Sequence, residues 1–263
     1  MTDAPHRARK RFGQNFLHDT HVIDRIVRAI DPRPGDALVE IGPGQGALTL
    51  PLLRAAGTLE AVEMDRDLVA PLTALAHHVG ILRLHQEDAL RFDFNRAWPG
   101  RDGLRVVGNL PYNISTPLIF HLLDHIPRIA DMHFMLQREV VERMSAAPGS
   151  RIYGRLSVMV QYHCRVERLF PVPPGAFRPA PRVESALVRL TPLDPLPCPA
   201  SDYQTFADLV RTAFGQRRKT LRNALRILVP AETFEWAGID SGARAEQLAV
   251  DDFVRLANAV SGR

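Results

Sequence analysis

Residues 37–46 read Ala37-Leu38-Val39-Glu40-Ile41-Gly42-Pro43-Gly44-Gln45-Gly46, and the fold follows from how this stretch is parsed. Apolar residues broken by one acid run into a turn with three glycines, and a helical pattern then continues to about Ala56. Strand, glycine turn and helix together make the geometry of phosphate loops and dinucleotide sites, where missing side chains let a ligand approach the backbone. The turn alone does not choose the ligand. Gly42-Pro43-Gly44-Gln45-Gly46-Ala47 satisfies G-x-G-x-x-A, which admits a nicotinamide dinucleotide. No Gly-Lys-Ser/Thr follows, which disfavours a phosphate-loop NTPase.

Working outward, Ala61-Val62-Glu63-Met64-Asp65 closes a second strand about twenty residues beyond Gly42, where a carboxylate takes the hydroxyls of a ribose. A third strand over 81–84 is closed by Glu87-Asp88-Ala89. A fourth, over 104–108, delivers Val106-Val107-Gly108-Asn109-Leu110-Pro111-Tyr112-Asn113. Pro111 forbids continuation as sheet or helix, so Asn109, two carbonyls and the Tyr112 ring are held at the strand's carboxyl end. Ser115 is expected to cap a helix to about Leu123, and residues 132–136 form a fifth strand. Two more strands lie near 167–172 and 186–191, with a helix over 154–163 between them. Upstream, Asp19 caps a helix through Ile30, on which Val22, Ile23, Ile26, Val27 and Ile30 recur at helical spacing. Strands alternating with helices predict a mostly parallel sheet covered on both faces, a Rossmann-like α/β domain over 19–192. Residues 1–18 form a basic arm in which Phe12 and Phe16 imply docking on the body.

Four prolines within 192–199 mark a semi-rigid linker, and the pattern over 200–263 is wholly helical, with helices over 203–214 and 217–228. Between Arg211 and Arg226 stand Arg211, Arg217, Arg218, Lys219, Arg222 and Arg226 without one acid. Arg218, Arg222 and Arg226 recur every four residues, apart from an apolar face of Leu221, Ala224, Leu225 and Leu228. Solvated faces normally mix signs, so a one-sign stripe points to phosphate contacts with RNA.

Across its 263 residues the chain is 46% hydrophobic with a net charge of +4, and no run is long enough to span a bilayer. No apolar segment follows the first arginines, so no secretory signal is expected. Two cysteines, Cys164 and Cys198, in no metal-ligand spacing, fit a reducing cytoplasm and give no metal site. Lysine occurs only at positions 10 and 219, inside arginine-rich runs, which leaves little for a lysine-dependent mechanism.

Asn109, with the Leu110 or Pro111 carbonyl, offers in-plane acceptors, and Tyr112 offers a flat face: a site for a planar ring bearing an NH2 group. A dehydrogenase would leave this turn and Asp88 unexplained, and no Tyr-x-x-x-Lys pair exists. S-adenosylmethionine gives each piece a role, with Glu63 on the ribose and Asp88 on the adenine amine. A non-catalytic RNA-binding factor would keep the basic stripe yet have no need for Glu63, Asp88 or Asn109.

Residues 11–19, 40–46, 108–115 and 177–185 resemble the ribosomal RNA adenine dimethyltransferase family, which includes the bacterial small-subunit (16S) enzymes and the macrolide-resistance methylases. The resemblance covers nearly the whole chain, and residues 108–117 and 131–140 are similar to the 16S branch. It implies a class I S-adenosylmethionine-dependent methyltransferase with cofactor contacts at Asn15, Leu17, Gly42, Glu63, Asp88 and Asn109. It also sets Phe177 opposite Tyr112 as a second stacking wall. The implied reaction is N6,N6-dimethylation of two adjacent adenosines in the 3′-terminal hairpin loop of 16S rRNA in the 30S subunit. A monomer in the cytoplasm is expected, without metal or membrane. Methylation of 23S rRNA is the alternative within the family.

Overall fold

The computed structural model of the protein describes residues 14–262. It begins with β1 (Phe16–Leu17), α1 (Thr20–Ile30), β2 (Leu38–Ile41), α2 (Thr49–Ala56), β3 (Thr58–Val62), α3 (Arg66–Ala76) and β4 (Ile81–His85). There follow β5 (Leu104–Asn109), α4 (Ser115–Leu123), β6 (Ile129–Gln137), α5 (Arg138–Met144), α6 (Arg155–His163), β7 (Cys164–Val172), β8 (Phe177–Arg178) and β9 (Ser185–Pro192). The chain ends with α7 (Tyr203–Gly215), α8 (Leu221–Ala224), α9 (Ala231–Trp236) and α10 (Val250–Ser261).

Two compact units divide these elements. One holds the described residues up to Val141 together with Glu167–Pro192; the other holds Glu142–Val166 and the described residues from Leu193 on. The break after Pro192 falls at the proline-rich stretch. Segment 142–166, assigned from its sequence to the α/β domain, groups instead with the C-terminal helices. The reason is that α6 is buried on nearly every side, and Tyr162 packs on Phe206 of α7 with ring centroids 4.5 Å apart.

The first unit is built on a seven-stranded sheet in the order β4-β3-β2-β5-β6-β9-β7. The pairs β3/β4, β2/β3, β2/β5 and β5/β6 are parallel, while β9 runs antiparallel to β6. All four residues of β2 are buried, as a central strand covered on both faces requires. Gly108 is fixed by close approach: a Cβ there would lie 2.6 Å from the Ile41 carbonyl oxygen of β2. Asp19 caps α1 by accepting from the Val22 amide at 3.1 Å, and Ile26 and Ile30 bury its inner face.

Phe16 docks through a two-stranded pairing that its sequence did not announce. Opposite it is Arg178, and opposite Leu17 is Phe177. Phe12 and the basic residues of the arm lie outside the described residues. Ser115 is not the cap of α4 but its first residue; Ile114 precedes the helix and caps it with no side chain. The Ser115 hydroxyl turns back to donate toward the carbonyls of Pro111 at 3.2 Å and Tyr112 at 3.0 Å.

In the second unit, α7 buries Phe206, Leu209, Val210 and Ala213, and α10 buries Phe253, Val254, Leu256 and Ala257. The expected helix over 217–228 is reduced to the four residues of α8. Cross-chain bonds compete with it: Leu221 donates to the Ala243 carbonyl and Arg222 to Ser241, while Thr220 bridges Arg244. Leu221, Ala224 and Leu225 are buried, but Leu228 is exposed. Arg218 and Arg226 therefore sit in turns on either side of α8 rather than on one helical stripe.

Candidate active site

The carboxyl ends of four adjacent parallel strands, β4-β3-β2-β5, open onto one cleft of about 360 Å³. Asn15 and Leu17 line it from the N-terminal segment, Gly42 from the turn after β2, Glu63 from the end of β3, Asp88 from beyond β4 and Asn109 from the end of β5. The six positions expected to contact a cofactor are thus brought together, although they span most of the first unit's chain. Leu110, Pro111 and Tyr112 line the same cleft.

Phe177 does not. It is 3% exposed and belongs to the core cluster that includes Val172, Ala176 and Leu17, the last of which is its strand partner and also lines the cleft. Arg218, Arg222 and Arg226 belong to the second unit and are exposed.

The glycine turn answers the question its sequence left open. Gly42 donates its amide to Val62 at 2.9 Å, Gly44 to Glu63 Oε2 at 3.2 Å and Gly46 to Pro43 at 2.9 Å. All three glycine amides are engaged inside the protein, so they form no cradle for a pyrophosphate. Gly44 has φ +58°, and a Cβ there would come within 3.2 Å of the Phe16 ring, so the turn and the N-terminal strap fit only with glycine.

Electrostatics point the same way. Glu40, Glu63, Glu87 and Asp88 line the cleft, and no Lys, Arg or His is among the described lining residues. Glu63 accepts from the Gly44 amide on one oxygen and from the Asp65 amide, at 2.8 Å, on the other. Burial raises its pKa above the ordinary carboxylate value, and these two bonds oppose that rise. Glu40, 2% exposed, is pushed up to about 8 by burial, which the Thr49 hydroxyl opposes and the Glu63 charge reinforces. Near neutral pH it is therefore held mostly uncharged beside a second carboxyl, and a ligand bringing positive charge would favour its ionised form. Asp88 Oδ1 accepts from the Leu90 amide at 3.0 Å, which fixes the side chain and leaves Oδ2 for a donor.

At the other end, Asn109 Nδ2 donates to the Asn15 carbonyl at 2.9 Å. That carbonyl can only accept, so the NH2 half of the amide faces it and Oδ1 remains as the acceptor. The choice between the Leu110 and Pro111 carbonyls also resolves. Pro111 already accepts from the Ile114 amide and the Ser115 hydroxyl, both at 3.2 Å, which leaves Leu110. The Tyr112 hydroxyl lies 2.6 Å from Ser185 Oγ, and burial raises the phenol pKa, so it stays neutral.

Sequence reasoning missed Gln14, whose Nε2 donates to Asp65 Oδ2 at 3.1 Å and straps the N-terminal segment over the cleft. It also passed over Glu40, whose signal was an acid inside an otherwise apolar strand. Met64, 55% exposed at the cleft, was visible only as the residue between two acids.

Among known proteins, residues 5–261 match the family model described as ribosomal RNA adenine dimethylase. A ribosomal RNA small subunit methyltransferase A of Xanthomonas campestris pv. campestris is 59% identical over 251 residues, covering 95% of each chain. The crystal structure of a dimethyladenosine transferase from Plasmodium falciparum superposes with a TM-score of 0.79 at 27% identity, over 92% of this chain and 95% of that one. That of the 23S rRNA methyltransferase ErmE gives 0.72 at 23% identity, over 94% and 100%, a likeness of fold. With matches that run nearly its whole length, the chain belongs to the ribosomal RNA adenine dimethylase family.

Proposed function

We propose that this protein transfers methyl groups from S-adenosylmethionine to N6 of two adjacent adenosines in the 3′-terminal hairpin loop of 16S rRNA, giving N6,N6-dimethyladenosine. The observation that carries the amine chemistry is the pair of acceptors at Asn109 Oδ1 and the Leu110 carbonyl, each selected because its neighbours are already satisfied. Close identity to small-subunit relatives supports 16S over 23S rRNA as the target; the likeness to ErmE speaks only to fold.

S-adenosylmethionine, when bound, supplies an electrophilic methyl on a positively charged sulfur. Glu63 would hold the ribose hydroxyls, Asp88 the adenine amine, and Gly42, Leu17 and Asn15 the close sides of the cleft. Positive charge brought by the cofactor would favour the ionised form of Glu40. Against the target base, Asn109 and Leu110 accept the two N6 protons. These bonds favour a pyramidal nitrogen, draw its lone pair out of the ring and aim it for in-line attack. The Tyr112 face stacks on the base, which must first leave its helix or already stand unstacked. Orientation and electrostatics are sufficient, because the methylated nitrogen is acidic enough to lose its proton without a strong base.

RNA is held in part by the second unit. Arg211 is paired with Asp208 and Arg217 with Glu246, but Arg218, Lys219, Arg222 and Arg226 make no ion pair among the described residues. Exposed cations left unpaired in this way suit phosphates. The working unit is one chain acting in the cytoplasm on the 30S particle.

Labelled cofactor and 30S particles from cells lacking this modification test the reading. Two adjacent dimethyladenosines near the 16S 3′ end are expected, with Asn109→Ala lowering the transfer rate by about 10²–10³. Label in 23S rRNA, or at another atom of the base, overturns it.

A further inference from the structure

Tyr112 carries the stacking face and sits in the turn between β5 and α4, outside the sheet. Ser185 is the opposite case. It is 0% exposed, opens β9, and pairs with Gln137 at the end of β6, so the sheet fixes its position. The 2.6 Å bond between its hydroxyl and that of Tyr112 ties a turn side chain to the rigid sheet. At the other end of the same segment, β8 pairs with β1, whose residues Phe16 and Leu17 line the cleft. Residues 177–185 are thus pinned at both ends to the walls of the site, while Ser185 itself does not line the cleft.

We infer that Ser185 is a positioning residue that sets the plane of the Tyr112 ring, and thereby the hold on the base when its amine has lost a proton. The inference rests on the adenine-N6 reading above. Unmodified N6 offers two protons to Asn109 and Leu110. After the first transfer only one remains, so the hydrogen bonds alone no longer fix the base. Stacking then carries more of the orientation, and a ring free to swing presents the nitrogen badly. Loss of the bond therefore falls chiefly on the second methylation, while cofactor affinity stays as it was.

The test compares wild type, Ser185→Ala, Tyr112→Phe and the double variant on 30S particles lacking the modification. Cofactor affinity is measured by calorimetry, and mono- and dimethyladenosine by mass spectrometry of digested RNA. Wild type must first yield dimethyladenosine; if it yields none, the adenine-N6 reading fails and the role of Ser185 falls with it. Given that product, each single variant should lower kcat for the second transfer about fivefold, the worth of one net hydrogen bond. Monomethyladenosine should accumulate, and cofactor affinity should hold within twofold. The double variant should be no worse than either single, since both remove one interaction. The double variant leaves no hydroxyl buried without a partner, which removes that cause of destabilisation from the comparison, and thermal melts check that each variant is folded. Equal kcat and an unchanged product ratio in the folded variants overturn the inference, as do additive defects or a fall in cofactor affinity alone.

Discussion

The cleft and the turn around α8 are electrostatic opposites. The first gathers four acids and no described basic side chain; the second carries Arg218, Lys219, Arg222 and Arg226 with no acid between them. They also differ in exposure, and this sets the physics of each. Glu40 is buried, so its interactions are strong and little affected by salt, and burial itself moves its pKa. The arginines are exposed, so each is weak singly and is screened by ions beyond about a Debye length. A small cationic cofactor needs the first kind of site and a polyanionic RNA needs the second.

The largest effect expected from breaking this contrast is on RNA. Reversing Arg218, Arg222 and Arg226 to Glu should lower affinity for 30S particles or a 16S hairpin by about 10³ or more, leaving cofactor affinity intact. Neutral replacements should flatten the salt slope by roughly 2–3 units, near 0.9 per lost phosphate contact. Filter binding across a salt series measures both, and a wild type with no salt dependence would leave these residues as mere solvated surface.

Next is pH. Glu40 has a folded pKa of about 8 against an ordinary 4.5, so the folded chain holds a proton that the unfolded chain has released. Its contribution is most favourable below 4.5 and is lost as pH rises from there through about 8. Across that window the cofactor-free protein should weaken by up to on the order of 4 kcal/mol, and Glu40→Gln should remove most of that decline. Denaturant melts at several pH values decide this, and high salt should leave the difference in place, unlike the RNA result. Parallel curves for the two proteins would show that the carboxyl is already ionised when buried.

Glu63→Ala is the smallest of the three. It removes a charge-assisted acceptor from the cleft and should weaken S-adenosylmethionine binding about tenfold. Calorimetry on the folded variant measures it, and equal affinity removes Glu63 from the ribose.

Legibility in the sequence followed the same division. Glu63, Asp88 and Asn109 could be placed because each ends or closely follows a strand, and parallel strands deliver their carboxyl ends to one edge of a sheet. What could not be read were contacts made by the tertiary fold alone. Gln14 meets Asp65 across 51 positions and Tyr112 meets Ser185 across 73, with no local pattern announcing either. Phe177 was placed in the site by resemblance; it is buried, and its strand partner Leu17 lines the cleft. The four-residue spacing of Arg218, Arg222 and Arg226 suggested a helix that segment 241–244 interrupts by taking the amides of Leu221 and Arg222. The charges are exposed as expected, and their arrangement is not.

The amides of Gly42, Gly44 and Gly46, all turned inward, bear on how the protein chooses among crowded metabolites. Many cellular molecules share an adenosine, and the nucleotides among them compete for any site that reads only base and ribose. A turn with free amides would welcome their phosphates. Here the same turn spends its amides on Val62, Glu63 and Pro43, and the carboxyls around it repel anionic tails. On the reading proposed above, selection would fall on the part of the molecule that differs: a cationic tail would be favoured over a phosphate tail, and ATP would be a poor competitor.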